Sequence, residues 1–186
     1  GSNGVKFLRQ YKEYGMKEKL PVIANMTAVD EGILASMGDE ALDIISSGWY
    51  AETIKNPNNE KFAQGMLKDF KQAPGYYSVG AYGAALMLEK ALKEVKGNIE
   101  NKTEFMNALR NVTVNDDPRG KISLDALGNP IMNVYIRKVQ KVNGRLTNTI
   151  VKTYPNVTQF WNYSTADFIA KPVYSRDYPP SNNLEK

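Results

Sequence analysis

Three short stretches carry the side chains best suited to chemistry or to holding a solute. Asn25-Met26-Thr27-Ala28-Val29-Asp30-Glu31 places a hydroxyl and two carboxylates directly after an apolar run and before a helical pattern. Ligands of open α/β sheets sit at such a place, where a strand ends and a helix begins. Thr27 and Asp30 could contact a ligand there, and could equally act as N-caps. Trp49 and Tyr50 follow a second apolar run; they could stack on a ligand and supply a hydroxyl, or pack between lobes. Asp116-Asp117-Pro118-Arg119-Gly120 offers two carboxylates for acid–base work, but Asp first, Pro in the middle and Gly last spell a turn. No partner nucleophile lies near it in sequence. Gly75–Gly80 lacks the Lys-Ser/Thr of a phosphate loop and follows no strand, so it reads as the start of a tightly packed helix.

Composition narrows the chemistry further. The 186 residues contain no cysteine and no histidine. Thiol nucleophiles, imidazole bases and the usual zinc sites are therefore absent. The chain has 42% hydrophobic and 24% charged residues, within the ordinary range of globular domains. Its net charge is +4, but the 24 basic and 20 acidic side chains are interspersed with no long basic run, which argues against nucleic-acid binding. No apolar run approaches the roughly 20 residues of a membrane-spanning helix. Gly1-Ser2 runs almost directly into a helical pattern, so an upstream portion is expected to be missing.

The elements that must position these residues follow from periodicity. Helical spacing over Val5–Tyr14 stops at Gly15, and Leu20–Ala24 reads as a buried strand. A short helix is expected over Glu31–Met37, capped by Thr27 or Asp30, and a second short strand over Ala41–Ser47. This α-β-α-β opening predicts a parallel pair with a crossover helix. The polar stretch Lys55–Asn59 reads as a boundary. Helices are expected over Glu60–Lys71, Tyr76–Lys96 and Lys102–Asn111, with the Gly/Ala-rich first half of the second one buried. Beyond Gly120 the pattern changes to alternation: strands over Gly120–Asp125, Pro130–Val142 and Leu146–Tyr154, the last two joined at Asn143-Gly144. Val157–Tyr163 reads as an aromatic strand or loop.

The order and spelling of these segments resemble a known family. FLRQYKEYGMKEKLPVI from residue 7, GDEALDIISSGWYAE from 38, NEKFAQGMLKDF from 59, GAYGAALMLEKALKEV from 80, DPRGKISLDALGNP from 117 and VYIRKVQKVNGR from 134 carry the resemblance. Together they look like the C-terminal part of type I periplasmic binding proteins, in the Leu/Ile/Val branch of ABC-importer substrate-binding proteins. The resemblance covers about residues 4–155. It implies an α/β fold of two lobes joined by hinge crossovers and closing on a ligand, present here incompletely. Residues 1–48 would be the last part of lobe II, 49–56 a crossover, 57–130 the last part of lobe I, 131–171 hinge-proximal strands and the return to lobe II, and 172–186 a surface tail.

The resemblance also implies a function: capture of a small polar, amino-acid or organic-acid ligand in the periplasm or outside the cell, and delivery to an ABC permease, with no catalytic step and no cofactor. A ligand-sensing receptor ectodomain of the same fold is the alternative. A small enzyme using Asp30, Asp116 or Asp117 is a further one, and it requires two carboxylates to converge. The expected ligand-contacting residues are Met26, Thr27, Asp30, Trp49 and Tyr50. Amino-acid binders of the family usually carry an acidic residue where this chain has Met26, which opens the way to aromatic or other organic acids. The piece by itself is expected to bind weakly and to self-associate.

Overall fold

The computed structural model describes residues 2–173; the expected tail lies almost wholly outside them. Its elements run α1 (Ser2–Glu13), β1 (Ile23–Asn25), α2 (Glu31–Leu34), β2 (Ile45–Gly48), α3 (Pro57–Phe70), α4 (Tyr76–Glu94), α5 (Lys102–Asn111), β3 (Thr113–Val114), β4 (Ile122–Leu124), β5 (Pro130–Val142), β6 (Arg145–Val157) and α6 (Thr165–Ile169). Short 3₁₀ turns occupy Met26–Val29 and Asp39–Ala41. Among the described residues no helix is long and apolar enough to cross a membrane.

Local chemistry explains most boundaries. Asn56 caps α3 by accepting from the Asn59 amide at 2.8 Å, and Pro57 fills the first helical turn, where no amide partner is needed. The expected boundary at Lys55–Asn59 is therefore the start of a helix three residues earlier than periodicity suggested. Asn101 caps α5 in the same way. Asn143 and Gly144 both take positive φ (50° and 79°), as a two-residue hairpin turn requires, and β5 and β6 pair antiparallel from there. β3 and α6, of two and five residues, are too short for periodicity to show.

The long β5 organises the sheet. β4 pairs with its first residues, Pro130 and Ile131, and β3 pairs with β4. Further along, β2 pairs with Tyr135–Lys138, and β1 lies parallel to β2, as expected. One hydrogen-bonded path thus joins five strands in the order β1-β2-β5-β4-β3, with β6 paired to β5 beside it, and its two arms meet β5 at different points along its length. Apolar packing is divided too. One cluster gathers Leu8, Val29, Leu34, Ile44 and Val139; a second gathers Met26, Tyr50, Ile54, Val79 and Tyr135; a third joins α4 to α5 through Ala91, Val95 and Ala108.

Two expectations about burial are corrected. β1 is an edge strand, and its Ile23 is 81% exposed instead of lying in a core. α4 buries the stripe Val79, Gly83 and Ala91, while Ala81, Ala84 and Ala85 face outward, with Leu88 and Leu92 also exposed. In both places, among the described residues, no neighbour covers these apolar side chains.

Arg137, at the middle of β5, is fully buried. Its guanidinium donates to the Tyr50 carbonyl at 2.7 Å, the Met26 carbonyl at 3.4 Å and the Ser46 hydroxyl at 3.1 Å. Glu31, equally buried, lies 3.4 Å away and offsets the charge when it is ionised. Burial pushes the Glu31 carboxyl up to about 7, against the pull of Arg137. The folded value lies above the ordinary 4.5, so the fold favours the protonated acid. The stability linked to this group is complete below about pH 4.5 and is lost as pH rises through about 7, a change on the order of 3 kcal/mol. Glu31→Gln is expected to remove that slope. Thermal melts of both proteins between about pH 4 and 8 at constant salt check this; parallel curves would contradict it.

Candidate functional site

The loop after β1 is built by its own side chains. Asn25 accepts from the Thr27 amide at 3.1 Å and from the Thr27 hydroxyl, which winds Met26–Val29 into its turn. Thr27 is left half-buried at the sheet's end. Met26 turns inward: its side chain packs over Gly48 and into the second core, and its carbonyl is held by Arg137. Met26 therefore offers its side chain to the interior, not to a solute.

Asp30 is 8% exposed and has both oxygens engaged. Oδ2 accepts from the Gly32 amide at 3.1 Å, capping α2, and Oδ1 accepts from the Tyr76 amide at 2.9 Å, at the start of α4. Of the two caps weighed for α2, Asp30 is the one used.

Tyr50 is placed in the interior of the crossover. It is fully buried, and its hydroxyl donates to Asn59 Oδ1 at 3.0 Å. Asn59 in turn donates to the carbonyls of Glu52 and Ile54, both at 2.9 Å, so the crossover folds around one buried amide. Burial raises the Tyr50 pKa strongly, so the phenol stays neutral.

Trp49, by contrast, is only half-buried and belongs to an aromatic row. Its ring meets the edge of Tyr76 at 5.8 Å between centroids, and Tyr76 lies 4.1 Å from Tyr77. The Arg119 guanidinium sits 5.1 Å from the Trp49 ring. Tyr77 is 77% exposed. The Tyr76 hydroxyl, hydrogen-bonded to that of Tyr77, is pushed up to about 12 and is neutral at physiological pH. Tyr76 and Tyr77 went unrecognised in the sequence because Gly75–Gly80 reads as packed helix. The available signal was Pro74-Gly75, which fixes the first turn of α4 at the two tyrosines.

The Asp116–Gly120 segment is the expected turn, closed by the Gly120 amide on the Asp117 carbonyl at 2.9 Å. Asp117 is fully buried, with Oδ1 accepting from Arg119 Nε at 2.7 Å and Oδ2 from Nη2 at 2.8 Å. Asp116 pairs outward with Lys90 at 3.0 Å, which holds its carboxyl below the usual range. The three carboxylates considered for acid–base work are thus each committed to a separate partner. A groove of about 700 Å³ opens on the other side of Arg119, lined by Ile54, Asn56, Asn133, Tyr135 and Thr153 among others. Among the described residues no group of three or more acidic side chains is placed to hold a metal ion.

The chain is similar in sequence and fold to known proteins. A family model described as periplasmic binding protein matches residues 1–145. A Leu/Ile/Val-binding protein homolog of Brucella melitensis is 26% identical over 159 residues, which is 83% of this chain and 40% of that protein. An ABC transporter substrate-binding protein from Sphaerobacter thermophilus superposes with a TM-score of 0.79 at 25% identity, over 84% of this chain and 43% of the other. A solute-binding protein of an ABC transporter from Rhodopseudomonas palustris, solved with 3,4-dihydroxybenzoic acid, superposes with a TM-score of 0.78 at 32% identity, over 83% of this chain and 43% of the other. The chain spans about two fifths of the length of these relatives. With the expected order of elements, the parallel β1–β2 pair and the long β5–β6 ribbon all in place, this chain belongs to the periplasmic binding protein family.

Proposed function

We propose that the chain is part of the solute-binding component of an ABC importer, working outside the cytoplasm, and that its solute is a small aromatic carboxylic acid. Residues 2–48, with the later part of β5 and β6, belong to one lobe; residues 57–130 belong to the other; residues 49–56 cross between them. The solute lies against Thr27, Trp49, Tyr76 and Tyr77, and the rest of its enclosure comes from parts of the family fold that this chain does not span. The closed complex is delivered to a membrane permease, with no chemical step.

The observation that carries this reading is the pairing of Asp30. An amino acid's ammonium needs an anionic partner, because a buried charge left unpaired is costly. Asp30 is the acidic side chain of the loop closest to that role, and both its oxygens already serve backbone amides. The row Trp49–Tyr76–Tyr77 instead offers flat apolar area with polar rims, which suits an aromatic ring. The relative solved with 3,4-dihydroxybenzoic acid supports the same class.

Trp49 fluorescence in a Trp161→Phe background reads the interaction. 4-Hydroxybenzoate and 3,4-dihydroxybenzoate are expected to change the emission saturably, at millimolar concentrations because the enclosure is partial, and leucine is expected to leave it unchanged. Tyr77→Ala should weaken the response by about tenfold, equivalent to about 1.4 kcal/mol. A saturable response to leucine alone would overturn the assignment.

A second expectation concerns self-association. Ile23 on the edge strand and Leu88 and Leu92 on α4 leave apolar area uncovered. A second copy of the chain is the occupant proposed here. Light scattering should therefore give a mass above the 20.8 kDa of one chain, and a monomer at all accessible concentrations would contradict this.

A further inference from the structure

Two restraints of different kind hold the loop after β1. On one side Arg137 binds the Met26 carbonyl as part of a fully buried network that also grips β2 and the crossover. On the other side the loop meets the start of α4, where Met26 packs with Val79 and Tyr76 in the second core and the hydrogen bonds are few. Among the described residues no backbone–backbone hydrogen bond joins residues 26–34 to residues 72–77. The polar part of the link, as far as the hydrogen bonds show, is the Asp30 carboxylate on the Tyr76 amide at 2.9 Å and the Gln72 amide on the Gly32 carbonyl at 3.4 Å.

The Asp30 contact is closely fitted. α4 has 19 residues, and Gly75 at its N-cap provides no side-chain cap. Its first amides lack helical partners and carry the positive end of the helix dipole. Asp30 reaches across 46 positions of sequence to supply the missing acceptor. A Cβ on Gly75 would lie 2.2 Å from Asp30 Oδ2, so the carboxylate occupies the space that any other residue would fill. One carboxylate therefore caps α2 and α4 together, and ties the segment that follows Thr27 to the helix that begins at Tyr76 and Tyr77.

We infer that Asp30 is a latch: it sets the distance between Thr27 and the Trp49–Tyr76–Tyr77 row, and solute enters and leaves when its carboxylate releases the Tyr76 amide. It is a positioning residue, acting through the loop and α4 without touching the solute. The rate consequences rest on the proposed wall being the solute site. The latch contact itself does not.

Two variants separate the latch from a general loss of stability. Asp30→Ser keeps an N-cap oxygen for Gly32 but leaves none for Tyr76. Gly75→Ala keeps the carboxylate and displaces it by steric contact. Hydrogen exchange on the solute-free chain should show the Tyr76 amide losing protection by tenfold or more in both variants, with the β5–β6 amides unchanged. Stopped-flow mixing with 4-hydroxybenzoate, read by Trp49 in the Trp161→Phe background, should show association and dissociation both faster by about tenfold, so that affinity changes less than either rate. Unchanged Tyr76 exchange in both variants would overturn the latch. Unchanged rates with only a lowered melting temperature would overturn its role in solute exchange. If the parent chain gives no response to 4-hydroxybenzoate, the proposed wall fails, and the exchange data still decide whether Asp30 latches α4.

Discussion

The geometry of this chain depends on where one guanidinium can be buried. Arg137 sits at the centre of β5 with no solvent contact. Taking a charge out of water costs several kcal/mol unless it is paired and its donors are satisfied. That cost is met by drawing in Glu31 from α2, Ser46 from β2, and the carbonyls of Met26 and Tyr50 from the two chain segments that leave the parallel strands. Each of these must be placed to within hydrogen-bonding tolerance. The register of β2 on β5, the start of α2 and the path of the crossover are thereby linked. An apolar residue at position 137 could fill the volume, but it could not specify two carbonyl positions.

This constraint divides the candidate solute residues into two groups. Met26 and Tyr50 contribute backbone carbonyls to Arg137, and their side chains fill the second core. Their sequence neighbours, Thr27 and Trp49, are thereby displayed at the surface of the junction. The buried partner of each pair fixes the peptide, and the exposed partner meets the solvent. Asp30 extends the same logic to α4, where Tyr76 and Tyr77 complete the aromatic row.

Much of the fold was legible in the sequence because it rests on local rules. Lys102–Asn111 and Pro130–Val142 were read to the residue, since the first has a capping Asn101 and the second alternates into an Asn-Gly turn. The parallel β1–β2 pair followed from the α-β-α-β order. What was not legible depends on distant partners. Tyr50 reads as an aromatic that could hold a ligand or pack between lobes until Asn59 is known to take its hydroxyl. Arg137 reads as one polar residue in an alternating strand, and nothing local announces that β1, β2 and α2 converge on it. Tyr76 and Tyr77 were read as part of a packed helix face because periodicity does not tell which neighbour a face will have. The outward-facing alanines of α4 fail for the same reason: an apolar stripe states that a residue suits burial, not that a partner within the chain provides it.

The central claim is that the junction presents an aromatic wall with no free carboxylate for an ammonium group. A titration of the ¹⁵N-labelled chain with 4-hydroxybenzoate and, separately, with leucine tests it most directly. The account predicts saturable shifts with the aromatic acid at the Thr27, Tyr76 and Tyr77 amides and at the Trp49 indole, and none of these with leucine. Saturable shifts with leucine centred on Asp30 and Gly32 would mean that the carboxylate leaves its two amides to meet an ammonium, and would contradict it.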